Sequence, residues 1–279
     1  MRHNGKIGGI LLAIQLGMPS LIEFGNIDET VELCQRLKLN FVELNMNLPQ
    51  YCPESLISKT LKDICKDTGI AFTVHLPEEI DLGSFQPSIR RGYIERCKEI
   101  IHWASEAGVK LINLHLNSGI YFTLPEKKEW IYDRHSERFM ANLDDAFRQL
   151  LPVAQRANVT ICIENCGNLH LPFMQQAIEH LLILGDLKLT WDVGHDAKVG
   201  YKEQHVLLKH EARIWHMHLH DFDGVSDHRP LFSGNIDIKR MVNYAEKLNI
   251  GVVVEVKTVS GLVDSVNLLA SLLGRHYSA

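Results

Sequence analysis

The 279-residue chain has no C-x-x-C pair, no glycine-rich phosphate fingerprint after its first apolar run and no excess of positive charge. Each absence excludes something. The six cysteines, Cys34, Cys52, Cys65, Cys97, Cys162 and Cys166, are scattered, which fits reduced thiols in a cytoplasmic protein better than a disulfide framework. A membrane helix needs about 20 consecutive apolar residues, and the sequence contains no such run. A formal net charge of −5 gives no general pull toward nucleic acid or an anionic membrane surface. The missing fingerprint counts against a doubly wound nucleotide-binding sheet, the alternative fold. The opening MRHNGKIGGILLAIQLGMPS has the basic-then-apolar order of a signal peptide, but it carries no A-x-A-like cleavage site. Gln15, Gly17 and Pro19 interrupt its apolar run, so the expectation is a buried first strand over 7–14.

What is present is regular alternation. Short apolar runs bounded by turn residues fall at 7–14, 40–45, 70–76, 109–116, 159–164, 187–192, 213–219 and 250–256. Stretches with helical apolar spacing lie at 27–38, 54–68, 87–107, 134–157, 172–184, 202–210, 237–248 and 260–273. Eight strand–helix units without a composition break predict one (β/α)8 TIM barrel of the α/β class over residues 1–279.

A barrel strand alternates inward and outward side chains, and its C-terminal end opens on the active-site mouth. Near the ends of seven consecutive runs stand Glu43, His75, His115, Glu164, Asp192, His218 and Glu255. One histidine at a strand end is ordinarily a hydrogen-bonded structural residue. Seven such groups at one rim would repel or stay unsatisfied unless a cation held them together. A mixed histidine and carboxylate set suits Zn²⁺, Mn²⁺ or Co²⁺ better than Ca²⁺. WDVGHD adds His195, and DHRPLFSGNID adds Asp227 and His228. RIWHMHLHDFDG puts His216, His218 and His220 on one side of its strand, at depths about 7 Å apart.

The strings HLP (75–77), ENCG (164–167), WDVGHD (191–196), HLHD (218–221), DHRPLFSG (227–234) and VVVEVK (252–257) resemble the xylose-isomerase-like barrel superfamily. That superfamily contains sugar epimerases and isomerases as well as endonuclease IV, and the resemblance covers nearly the whole chain. In the sugar branch it implies one metal held at Glu164, Asp192, His218 and Glu255, with the two glutamates also moving protons. In the endonuclease branch it implies a zinc cluster at positions matching His75, His115, Glu164, Asp192, His195, His218, His228 and Glu255. The chain departs from that branch where it has Ser226, with Asp227 adjacent, in place of an aspartate, and Phe232 in place of a glycine. The resemblance therefore implies a divalent metal, Zn²⁺ or Mn²⁺, as one to three ions. It makes His218 the ligand of its trio, leaving His216 as a core histidine below it and His220 as a candidate substrate contact at the mouth.

The expected reaction is proton transfer next to a carbonyl in a small sugar, sugar phosphate or keto acid, through an enediolate. Glu164 and Glu255 are the proton-transfer groups, and His195 is a catalytic group or a further ligand. Glu43 in FVELN resembles the strand-two glutamate of the sugar enzymes and is a candidate substrate contact, as are His220 and Arg229. The alternatives are a zinc phosphodiesterase acting on abasic DNA and a barrel that binds sugar or metal without turnover. Glu78 and Glu79 after the third strand face a would-be polyanion, which disfavours nucleic acid as partner. The aromatic 120–132 segment could be a lid, a base-stacking element or an interface, and a homo-oligomer is left open.

Overall fold

A computed structural model describes residues 14–274. Among the described residues the strands are β1 (Leu16–Pro19), β2 (Phe41–Asn45), β3 (Ala71–His75), β4 (Leu111–His115), β5 (Tyr121–Thr123), β6 (Lys128–Trp130), β7 (Thr160–Glu164), β8 (Lys188–Asp192), β9 (Ile214–Leu219) and β10 (Gly251–Val254). β5 and β6 form an antiparallel hairpin. The other eight close a parallel barrel in the order β1-β10-β9-β8-β7-β4-β3-β2, the (β/α)8 architecture expected from the alternating pattern.

Local chemistry sets the helix limits. Asn26 caps the helix Ile27–Arg36 by accepting a hydrogen bond from Glu29 N at 3.0 Å. The helices Ser58–Thr68 and Pro87–Ala107 end at Gly69 and Gly108, both in the left-handed conformation. Apolar side chains such as Val74, Leu114, Ile163 and Leu219 are fully or almost fully buried in the core. Among the described residues no helix is long and apolar enough to cross a membrane.

Three expectations need correction. Apart from Ile14, the strand expected over 7–14 lies outside the described residues, and the first barrel strand is Leu16–Pro19. The glycine and proline that interrupt the apolar run are thus inside the strand. A Cβ on Gly17 would stand 2.4 Å from the Phe41 ring, so the glycine admits β2's aromatic side chain. Pro19 is the last residue of its strand, beside Glu43, a position where proline is tolerated. The 120–132 segment, expected to be a loop, contains the β5–β6 hairpin and leads into a short helix, Ile131–Arg134. Its strands are three residues each, too short for alternation to reveal. Eight helices were expected, but the chain also turns directly from β8 into a short helix, Val193–Lys198. Asp192 caps that helix by accepting from His195 N at 2.7 Å.

Gly17→Ala is expected to cost about 1–3 kcal/mol through overpacking against Phe41, read from urea denaturation. A double variant that also shrinks Phe41 should recover part of that loss.

Candidate functional site

Register and alternation bring the polar strand ends together. His115 lies beside Glu164 across β4 and β7, and Asp192 beside His218 across β8 and β9. Glu255 follows β10, and its backbone N–H still donates to Leu219 O at 3.0 Å. Ligand atoms of Glu164, Asp192, His218 and Glu255 all lie within 4.8 Å of one another, and all four residues are buried. His218 Nδ1 stands 3.2 Å from Glu164 Oε2, 3.3 Å from Glu255 Oε2 and 3.9 Å from Asp192 Oδ2.

This donor set fits a divalent cation. Among the described residues, His218 Nδ1, His115 Nε2 and Glu255 Oε2 have no hydrogen bond of acceptable geometry, although all are buried. Buried polar atoms are otherwise nearly always paired. Three carboxylates and an imidazole nitrogen are donors that zinc and manganese accept.

The electrostatics agree. Burial works against charge on His218, but Glu164, Glu43 and Glu255 outweigh it and hold its pKa well above the usual value. Burial likewise opposes charge on Glu164 and Glu255, yet His218 and His115 pull the first well below the carboxylate range, and Lys257 and His218 pull down the second. Without metal, the His218 proton is the central counter-charge.

Glu43 lies below the strand end at which a substrate contact was expected. It lies two residues before the end of β2, is 3% exposed and has both oxygens engaged. Oε1 is 2.7 Å from His218 Nε2, while Oε2 is 3.0 Å from His216 Nε2 and accepts from Thr73 Oγ1 at 3.0 Å. It sits beneath the cluster and turns His218 so that Nδ1 faces the other carboxylates. His216 is the deeper core histidine of the trio.

The expected position of His220 also changes. It is fully buried rather than at the mouth. Its Nε2 lies 3.1 Å from Asp192 Oδ1, and its Nδ1 accepts from His228 N at 2.8 Å. A Cβ on Gly194 would fall 1.9 Å from this ring, so the glycine of WDVGHD makes room for it. With both nitrogens engaged, His220 is not free to complete a metal group with its neighbours His195 and His228. Arg229, the third expected substrate contact, turns its guanidinium to Asp223 at 3.1 Å.

The remaining candidates converge on the same space. His75 Nε2 and His115 Nε2 stand 3.4 and 3.3 Å from the two oxygens of Glu164, forming a second group of potential ligands. His75 Nδ1 is 2.7 Å from Leu76 O, which leaves Nε2 for Glu164. His195 Nδ1 is 3.4 Å from Asp192 Oδ2 and 3.7 Å from Glu164 Oε1. Asp227 is held by Lys198 Nζ at 2.8 Å, with His195 Nε2 4.0 Å away. His228 Nε2 is 3.7 Å from Glu255 Oε2.

Several contributors escaped the sequence reading. Lys257 Nζ donates to Glu255 Oε1 at 2.6 Å. Asn113 Nδ2 donates to Glu164 Oε2 and is fully buried. Asn165 clamps the backbone of Asp192 by accepting from its N–H at 2.7 Å and donating to its carbonyl at 2.8 Å. Buried Glu203 accepts from Asn165 Nδ2, Gly167 N and Leu169 N. Asp221 accepts from Phe222 N, Gly234 N and Ile236 N at 2.9–3.1 Å and so shapes the loop that carries His228. Inward alternation could have found Asn113 and Lys257, which lie two residues from His115 and Glu255. No local signal marks Glu203.

Fold and site together define a barrel with a buried carboxylate–histidine cluster suited to a divalent metal. A family model described as xylose isomerase-like TIM barrel matches residues 31–272, and the chain belongs to that family. No curated protein sequence matches it. Among solved structures it is similar to a D-tagatose 3-epimerase-like protein, at 20% identity over 94% of this chain and 97% of that one, with TM-score 0.76. It is also similar to the apo form of 3-keto-D-glucoside 4-epimerase from E. coli, at 19% identity over 94% and 99%, with TM-score 0.72. A third is the IOLI protein with a bound zinc atom, at 15% identity over 95% and 100%, with TM-score 0.71. At these identities the likeness is one of fold.

The raised pKa of His218 sets the sign of a pH effect. Metal must displace that proton, so Mn²⁺ affinity is expected to fall as pH drops from about 8 to about 6, with protons released on binding. Calorimetry in buffers of different ionisation enthalpy measures both. Glu43→Gln should weaken Mn²⁺ binding by about 10–100-fold by removing the carboxylate that orients His218.

Proposed function

We propose that the protein is a metal-dependent isomerase or epimerase, or a related lyase, acting beside the carbonyl of a small sugar, sugar phosphate or keto acid. The observation that carries this reading is the pair Glu164 and Glu255, each with an oxygen within 3.3 Å of His218 Nδ1. They come from opposite ends of the run β10-β9-β8-β7, so they approach a common centre from different sides.

Glu164, Asp192, His218 and Glu255 would hold the ion. When bound, it supplies Lewis acidity toward the carbonyl and neighbouring oxygen of the substrate. Glu164 takes the proton from the carbon next to the carbonyl. Glu255 returns a proton to the opposite face in an epimerase, or to the adjacent carbon in an isomerase. His195, partly exposed with Nδ1 beside Asp192, hydrogen-bonds a substrate oxygen through Nε2. Burial of the carboxylates keeps water from quenching the carbanion.

A second reading, phosphodiester hydrolysis, is favoured by one observation: His75, His115 and Glu164 form a further ligand group. The two readings use Glu164 differently. It must be free to move a proton in the first, whereas in the second it would serve only as a ligand, shared by the two candidate groups.

Purification without chelator, followed by elemental analysis, should give one divalent ion per chain under the first reading and more than one under the second. The metal-loaded protein should exchange the α-proton of its ketose or keto-acid substrate with D₂O. Glu164→Gln should lower turnover by about 10²–10⁴-fold. Absence of exchange across such substrates counts against proton transfer, and nicking of abasic duplex DNA would establish the hydrolytic reading. Unchanged activity in Glu164→Gln would remove both.

A further inference from the structure

One layer below the cluster, β4 and β8 each contribute a polar side chain that the reaction scheme does not use. Asn113 and Thr190 are both fully buried, as is Glu164 at 1% exposure. Thr190 Oγ1 donates to Asn113 Oδ1 at 2.7 Å, and Asn113 Nδ2 donates to Glu164 Oε2. The three residues lie on three different strands, β8, β4 and β7.

The order of donors matters. An amide can turn about its last bond, and the reversed orientation would set Asn113 Oδ1 against the carboxylate, acceptor to acceptor. The carboxylate of Glu164, which can only accept, requires the amide nitrogen on its side, and the Thr190 hydroxyl then donates to the amide oxygen and completes the arrangement. The amide nitrogen is thereby left facing Glu164.

The consequence falls on the carboxylate. Glu164 Oε2 is held by Asn113 and lies 3.2 Å from His218 Nδ1, whereas Oε1 lies toward His115 at 3.3 Å and His195 at 3.7 Å. The two oxygens face different neighbours.

We propose that Asn113, braced by Thr190, is a positioning residue that holds Glu164 Oε2 on the His218 side, where a metal would bind, and leaves Oε1 for the proton. The inference rests on the metal-dependent reading of the site. A donor that served packing alone would have no reason to be braced by a second buried hydroxyl. An apolar pair of similar volume would fill the same layer without the desolvation cost of three polar atoms.

Thr190→Val removes the hydroxyl and keeps the shape, Thr190→Ser keeps the hydroxyl, and Asn113→Ala removes the amide. Titration with Mn²⁺, followed by electron paramagnetic resonance, reads the affinity, and a thermal melt without metal reads the fold. Thr190→Val and Asn113→Ala are expected to weaken Mn²⁺ binding by about 10–100-fold, and Thr190→Ser should restore it to within about twofold of wild type. Folded Thr190→Val protein with wild-type Mn²⁺ affinity overturns the proposal and leaves the metal reading intact. A Thr190→Val chain too unstable to titrate, beside a normal Thr190→Ser, also overturns it, by showing that the hydroxyl serves the fold. Wild-type protein that fails to bind Mn²⁺ at all would sink both this inference and the metal reading.

Discussion

Four carboxylates lie within 3.9 Å of the nitrogens of one buried imidazole, His218. So much negative charge cannot be kept out of water without compensation, and much of the surrounding structure is arranged to supply it. Below, Glu43 takes His218 Nε2 and is itself satisfied by His216 and Thr73. Above, Glu164, Asp192 and Glu255 are left for Nδ1. One ring thus divides the barrel interior into a lower layer held by ion pairs and hydrogen bonds and an upper layer that calls for a cation.

The barrel makes this division inexpensive in sequence. The contributing strands supply only one or two of these polar residues each, and the register between neighbours fixes their heights. Asp192 has two roles at once. It ends β8 with an inward carboxylate, and it caps the helix that places His195 beside it. Asn165 holds the same residue by its backbone, so the carboxylate is fixed from the main chain outward.

How much of this was legible follows from which physical rule applied. Strand–helix alternation and the inward side of each strand are periodic properties, so the barrel and the gathering of Glu164, Asp192, His218 and Glu255 could be expected from spacing and resemblance. Height along the barrel axis is a property of register, which depends on how neighbouring strands align. That is why Glu43 and His220, on the right faces, were placed at the wrong depths. Attention to ionisable residues passed over Asn113, although alternation from His115 points to it. Glu203 acts across more than 30 residues of chain through three donors on one loop, and nothing in its local sequence indicates this. β1 was displaced because glycine and proline were taken as strand breakers, whereas Phe41 requires the first and a strand terminus accommodates the second.

The carboxylate of Asp221 has a mechanical meaning. By gathering the amides of Phe222, Gly234 and Ile236, it ties both ends of a long excursion to the C-terminal end of β9, where Asp221 also pairs with Arg229. The loop is therefore cinched like a drawstring bag. Its tip, with Val225 almost wholly exposed, can change length or sequence while His228 keeps its place beside Glu255. A barrel built this way can acquire a new rim without rebuilding the centre beneath it.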